Sequence, residues 1–86
     1  MNIELKNTTE AGPVYLQVRN QIEAQIRDKQ IASGETLPSP AQVAQKLNVD
    51  SGEIKRAYHE LELNGLIKKT AGKNFLGEEK TTYSVK

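Results

Sequence analysis

The chain has 86 residues, which is one small domain near the lower size limit for a self-sufficient core. Apolar residues make up 36% and aromatics 5%, so that core must be largely Leu, Ile, Val and Ala, and self-association or a partner would help stabilise it. Twelve basic against eleven acidic residues leave +1, which argues against a strong unspecific nucleic-acid binder, and the lack of cysteine excludes disulfides, thiolate metal sites and thiol nucleophiles.

Residues 1–12 are polar except for Ile3 and Leu5, whose alternation fits a short strand or an extended arm. The opening MNIELKN lacks the apolar segment of a signal peptide, and no apolar run approaches the ~20 residues of a membrane span. A cytoplasmic location with no membrane partner is therefore expected. The Asn7-Thr8-Thr9 triplet matches a glycosylation acceptor, incidental without secretion. Gly12-Pro13 is a break followed by a helix start, since proline is accommodated in a first turn. From Val14 to Lys29 the apolar positions Val14, Tyr15, Val18, Ile22 and Ile26 recur at helical spacing, with Arg19, Asn20, Glu23, Arg27 and Asp28 off the stripe.

Residues 30–38 read as a linker anchored by Ile31 and Leu37, with Gly34 supplying a turn. Ser39-Pro40-Ala41-Gln42 then has the form of a capping box, with Pro at the first helical position and Gln able to reach back. Val43, Ala44 and Leu47 form the apolar face of a short second helix. Asn48-Val49-Asp50 is the turn, and Asp50 is the expected N-cap of a third helix, with Glu53 as its reciprocal partner. That helix runs to about Asn64, packs through Ile54, Ala57, Tyr58 and Leu61, and ends at Asn64-Gly65. Leu66, Ile67 and Lys68-Lys69-Thr70 are expected to leave the core as a strand. Ala71-Gly72-Lys73-Asn74 is expected to turn, and Phe75-Leu76 to begin the return. The GEEK segment is polar, and TTYSV is either a last strand or a tail.

These elements predict a mainly α fold with a small β wing, a winged helix-turn-helix of three helices and a two- or three-stranded antiparallel hairpin. The division is an arm or short strand over 1–12, the winged helix-turn-helix domain over 13–77, and a polar tail or short strand over 78–86. On a wheel at ~100° per residue, Gly52, Lys55, Arg56 and His59 lie opposite the core stripe of the third helix, where a major-groove reader needs them. Glu53 and Glu60 flank that surface. Lys68, Lys69 and Lys73 make the wing basic, which suits a phosphate backbone or minor groove; the same lysines would also protect an edge strand. His59 is the sole histidine and cannot build a metal site alone. No catalytic constellation and no phosphate-cradling glycine loop occurs, so neither an enzyme nor a cofactor is expected.

From Gly12 to about Leu76 the chain resembles the DNA-binding domain of GntR-type bacterial regulators. GPVYLQVRNQIEAQI resembles the opening helix of that family, IASGETLPS its linker and second-helix cap, VAQKLNVD its helix and turn, and IKRAYHELELNGLIKK its recognition helix and first wing strand. The opening MNIELKNTTEAGPVYLQV is most similar to the short-tailed regulators of the family. Departures fall at outward positions. Pro40-Ala41 stand where the family generally has Glu-Arg. Asp50-Ser51-Gly52-Glu53 replace Ser-Arg-Thr-Thr, and Gly72-Lys73-Asn74-Phe75 keeps one glycine of the family's wing pattern. Ten residues follow Leu76, which offer no counterpart to the family's effector-sensing domain.

The resemblance implies a sequence-specific DNA-binding transcriptional regulator lacking that domain. Its contacts would come from Ser39, Ser51, Gly52, Lys55, Arg56 and His59 around the second and third helices, and from Lys68, Lys69, Gly72 and Lys73 in the wing. DNA is the expected partner, bound weakly by one copy, so a homodimer is expected. A second reading, from the missing arginines and added acids, is a winged helix diverted to a protein partner.

Overall fold

In the computed structural model, residues 1–7, 9–73 and 75–86 are described, Thr9 by its backbone alone. The parts of the expected glycosylation triplet and wing turn that fall on Thr8 and Asn74 therefore lie outside the described residues. A 3-10 turn (Thr9–Ala11) leads into α1 (Val14–Arg27); β1 (Thr36–Leu37), α2 (Pro40–Leu47), α3 (Ser51–Leu63), β2 (Ile67–Lys73) and β3 (Glu79–Val85) follow. None of the described helices is long and apolar enough to cross a membrane.

The helical stripes meet as their spacing requires. Val18 and Ile22 of α1, Val43 and Ala44 of α2, and Ile54, Ala57, Tyr58 and Leu61 of α3 are buried together with Ile31, Leu37, Ile67 and Val85. Both linker anchors are thus in the core. Beyond its anchors the linker adds a strand: Thr36 and Leu37 pair with Ser84 and Tyr83. The sheet order is β1-β3-β2, so the TTYSV segment lies in the central strand. Its inward residues Tyr83 and Val85 face Lys69 and Ile67 across the β2 ladder.

The wing differs from expectation at its tip. Ala71, Gly72 and Lys73 continue β2, paired with Thr81, Lys80 and Glu79, rather than forming the turn. Phe75 and Leu76 belong to the turn and not to the return strand. The reason is that β3 offers backbone partners up to Glu79, and each added ladder pair satisfies backbone groups that a turn at Gly72 would leave to solvent. The positive φ needed to reverse the chain is instead taken by Gly77, at +83°.

Helix ends are closed by local chemistry. Ser39 forms the expected capping box, its Oγ accepting from the Gln42 N–H at 3.2 Å while the Ser39 N–H donates to Gln42 Oε1 at 3.1 Å. All three helices end in one hydrogen-bond pattern, with the N–H groups of Gln30, Val49 and Leu66 reaching back to the carbonyls of Gln25, Ala44 and Leu61. That closure needs a left-handed residue, supplied by Lys29 (φ 60°), Asn48 (φ 58°) and Gly65 (φ 75°). Lysine is the costly choice among these. Lys29→Gly should stabilise the chain by about 0.5–1 kcal/mol, read as a rise in the urea midpoint. A lower midpoint would show that the Lys29 side chain contributes more than its backbone costs.

Residues 1–7 are extended without strand pairing, and Met1, Ile3 and Leu5 pack on the core. Their intervening backbone bonds to glutamine side chains of α1. Lys6 N–H and C=O meet the Gln17 amide at 2.8 and 3.0 Å, Glu4 meets Gln21 at 2.8 and 2.6 Å, and Asn2 meets Gln25. Four helical residues rise ~6.0 Å and two extended residues ~6.6 Å. Glutamines four apart can therefore act as the edge of a strand running antiparallel to the helix. Gln17, which is itself buried, donates again to the Gly12 carbonyl at 2.8 Å.

Candidate nucleic-acid interface

The helix-turn-helix places the start of α3 at the surface. Asn48 makes the left-handed turn, Val49 packs partly against the core, and Asp50 Oδ1 accepts from the Gly52 N–H at 2.8 Å. A Cβ on residue 52 would stand 3.3 Å from that carboxylate oxygen, so glycine leaves room for the cap. Ser51 is half-buried in the first turn and Gly52 is exposed.

Glu53 does not complete a box with Asp50. Its Oε2 accepts the Tyr15 N–H at 3.0 Å, 38 residues away in sequence. The cause is at the start of α1, where the capping residue Pro13 has no side-chain acceptor for the first free N–H groups. A carboxylate also suits the positive end of that helix. Glu60 turns the same way. One oxygen takes Arg19 Nη1 at 3.1 Å, and the other lies 3.7 Å from Arg56 Nε. The Arg56 guanidinium rests 3.8 Å from the centre of the Tyr15 ring. Arg56, Glu60, Arg19 and Tyr15 thus form a polar seam between α3 and α1.

Lys55 and His59 look the other way. With Ser39, Pro40 and Ala41 of the α2 start, Lys69 of β2, and Thr81 and Tyr83 of β3, they line an open cleft of about 530 Å³ between α3 and the wing. Two lysines and a histidine face this space, and among the described residues no carboxylate lines it. His59 Nδ1 lies 3.9 Å from Glu62 on its own helix. The acids that crowd the α3 sequence are therefore engaged at caps, at the α1 seam or beside His59.

The structure divides the expected site residues. Ser39, Lys55, His59 and Lys69 share the cleft, and the Ser39 hydroxyl is also committed to its cap. Ser51 and Gly52 stand at the head of α3. Arg56 is exposed, as the wheel indicates, but its guanidinium lies on α1 rather than in the cleft. Lys73 shares the strand face of Lys69, while Lys68 and Gly72 occupy the opposite face of β2. Sequence reasoning missed Thr81 and Tyr83, although the period-two spacing of Thr81, Tyr83 and Val85 was a readable strand signal.

Residues 14–75 match the model for bacterial regulatory proteins of the gntR family. The HTH-type transcriptional regulator YhcF of Bacillus subtilis is 32% identical over 68 residues, covering 79% of this chain and 56% of that protein. Among solved structures, YtrA from Sulfolobus acidocaldarius, a GntR-family transcription factor, superposes with a TM-score of 0.76 at 28% identity, over 100% of this chain and 64% of its own. A transcriptional regulator from Oenococcus oeni gives 0.69 at 26% identity, over 99% and 61%. The chain thus spans just over half the length of YhcF and less than two thirds of either solved relative.

Proposed function

Because the chain belongs to the gntR family of bacterial regulatory proteins, we propose that it is a sequence-specific DNA-binding transcriptional regulator, acting in the cytoplasm without catalysis. In this reading α3 enters a major groove with Ser51, Gly52, Lys55 and His59 toward the bases, while Lys69 and the other wing lysines hold the flanking backbone. One observation carries it. Lys55 and His59 of α3 and Lys69 of β2 converge on one cleft that, among the described residues, no carboxylate lines. So few cationic contacts bind weakly in one copy. A homodimer on two half-sites about 34–36 Å apart would supply the missing affinity.

The reading of a winged helix diverted to a protein partner rests on the missing arginines and on the acids of α3. Glu53 and Glu60 are engaged by α1, which weakens the second ground and leaves the first in place.

The test is a fluorescence titration against mixed genomic DNA fragments at low and moderate salt. Binding should weaken linearly in log–log form with a slope of about −3 to −5, for a handful of neutralised phosphates. No binding at low salt, or a slope near zero, overturns the proposal. Selection of bound duplexes from a random pool then gives the operator.

A further inference from the structure

The wing ends in two apolar side chains that stand largely in water. Phe75 is 95% exposed and Leu76 67%. A turn needs neither, and water-facing aromatics at a loop tip are costly to solubility. Behind them the hairpin is basic on both faces. Strand alternation and the β2–β3 register put Lys69 and Lys73 on the face shared with the α3 cleft, and Lys68 and Lys80 on the other. Glu79 is the cross-strand partner of Lys73, and Glu78 adjoins it in sequence, so the excess of lysine falls further back.

An apolar tip on a ribbon with lysines on both faces fits a narrow cleft with anionic walls on both sides and apolar ring faces stacked behind its floor. The minor groove of DNA, ~6 Å wide between two phosphate chains, has that form. Two side chains are far too little for a protein interface of ~800 Å² per partner. An anionic membrane would also accept the tip, but it would not engage the α3 cleft that shares a face with Lys69.

We propose that Phe75 and Leu76 are an apolar wedge that enters the minor groove next to the major-groove site and unstacks a base step, so that this protein bends the DNA it binds. The inference rests on the DNA-binding reading above. Bending would favour flexible pyrimidine–purine steps at a position read by deformability rather than by hydrogen bonds.

The experiment uses the whole chain and a duplex recovered from a random pool, end-labelled for energy transfer and carrying 2-aminopurine at successive steps. The wild type should bring the ends closer and raise the fluorescence of one 2-aminopurine. Phe75→Ala, whose side chain touches no core, should bind about threefold to tenfold more weakly, leave the duplex straight, and keep its salt slope. Lys69→Ala/Lys73→Ala should instead lower the slope by about 2. If Phe75→Ala binds and bends DNA like the wild type, the wedge is overturned while the DNA-binding reading stands. If the wild type recovers no duplex, both fall. Vesicles of phosphatidylserine and phosphatidylcholine provide the remaining arm. Retention of the wild type and release of Phe75→Ala would assign the tip to a membrane and overturn the wedge.

Discussion

Truncation of Tyr58 to alanine is expected to cost about 3–5 kcal/mol, the range for a fully buried aromatic, with a further cost for the carbonyl it leaves behind. Domains have only ~5–15 kcal/mol in total, so the loss takes a large share of the stability and, at the low end of that range, leaves the chain partly unfolded without denaturant. Tyr58 is 0% exposed. Its ring meets Tyr83 of β3 edge-on at 4.9 Å, and its hydroxyl donates to the Pro38 carbonyl at 2.8 Å. One side chain thus ties α3 to the sheet and to the entry of α2. Tyr58→Phe keeps the ring and should lose only about 1 kcal/mol. Urea melts of the two variants separate packing from hydrogen bonding, and a Tyr58→Ala loss below about 2 kcal/mol would refute this role.

The same burial predicts an alkaline limit. Desolvation, then the neighbouring Tyr83, pushes the Tyr58 hydroxyl well above its ordinary 10.0. The folded chain keeps that proton where the unfolded chain has released it. Its contribution is therefore complete below pH ~10 and declines above it.

What the sequence revealed was local or periodic. The Ser39–Gln42 box lies within four residues, and the core stripes of α1, α2 and α3 depend only on helical spacing. All are found where residue order puts them. What it concealed was the long-range choice of partners. Glu53 sits three residues from Asp50 and fits a box there, yet the unmet Tyr15 N–H on another helix is the better bonding opportunity. Gly72 looks like a turn glycine until β3 is in place to pair with it. The spacing of Gln17, Gln21 and Gln25 is visible on a wheel, but nothing local says that an extended arm lies beside them. Arg56 shows the limit of wheel arguments for long side chains. Its Cα faces outward, while its guanidinium folds back over Tyr15.

That divergence makes the sharpest test of the proposed DNA-binding surface, because neighbours in sequence should behave oppositely. Lys55→Glu/Lys69→Glu places two carboxylates in the cleft where two cations stood. Each reversal removes a counterion-releasing contact and adds repulsion from phosphate, so affinity for the selected duplex should fall by more than about a hundredfold at moderate salt. Both residues are exposed, so the urea midpoint should hardly move. Arg56→Ala should do the reverse. It removes the stacking on Tyr15 and leaves Glu60 to Arg19 alone, at a cost of about 0.5–1 kcal/mol in stability. DNA affinity should change by less than about threefold, since Arg56 lies outside the cleft. If Arg56→Ala instead cost as much affinity as Lys55→Ala with an equal fall in salt slope, the guanidinium would have to leave Tyr15 on binding. The polar seam would then be a resting place for a DNA contact, and the reading surface would extend across α3 toward α1.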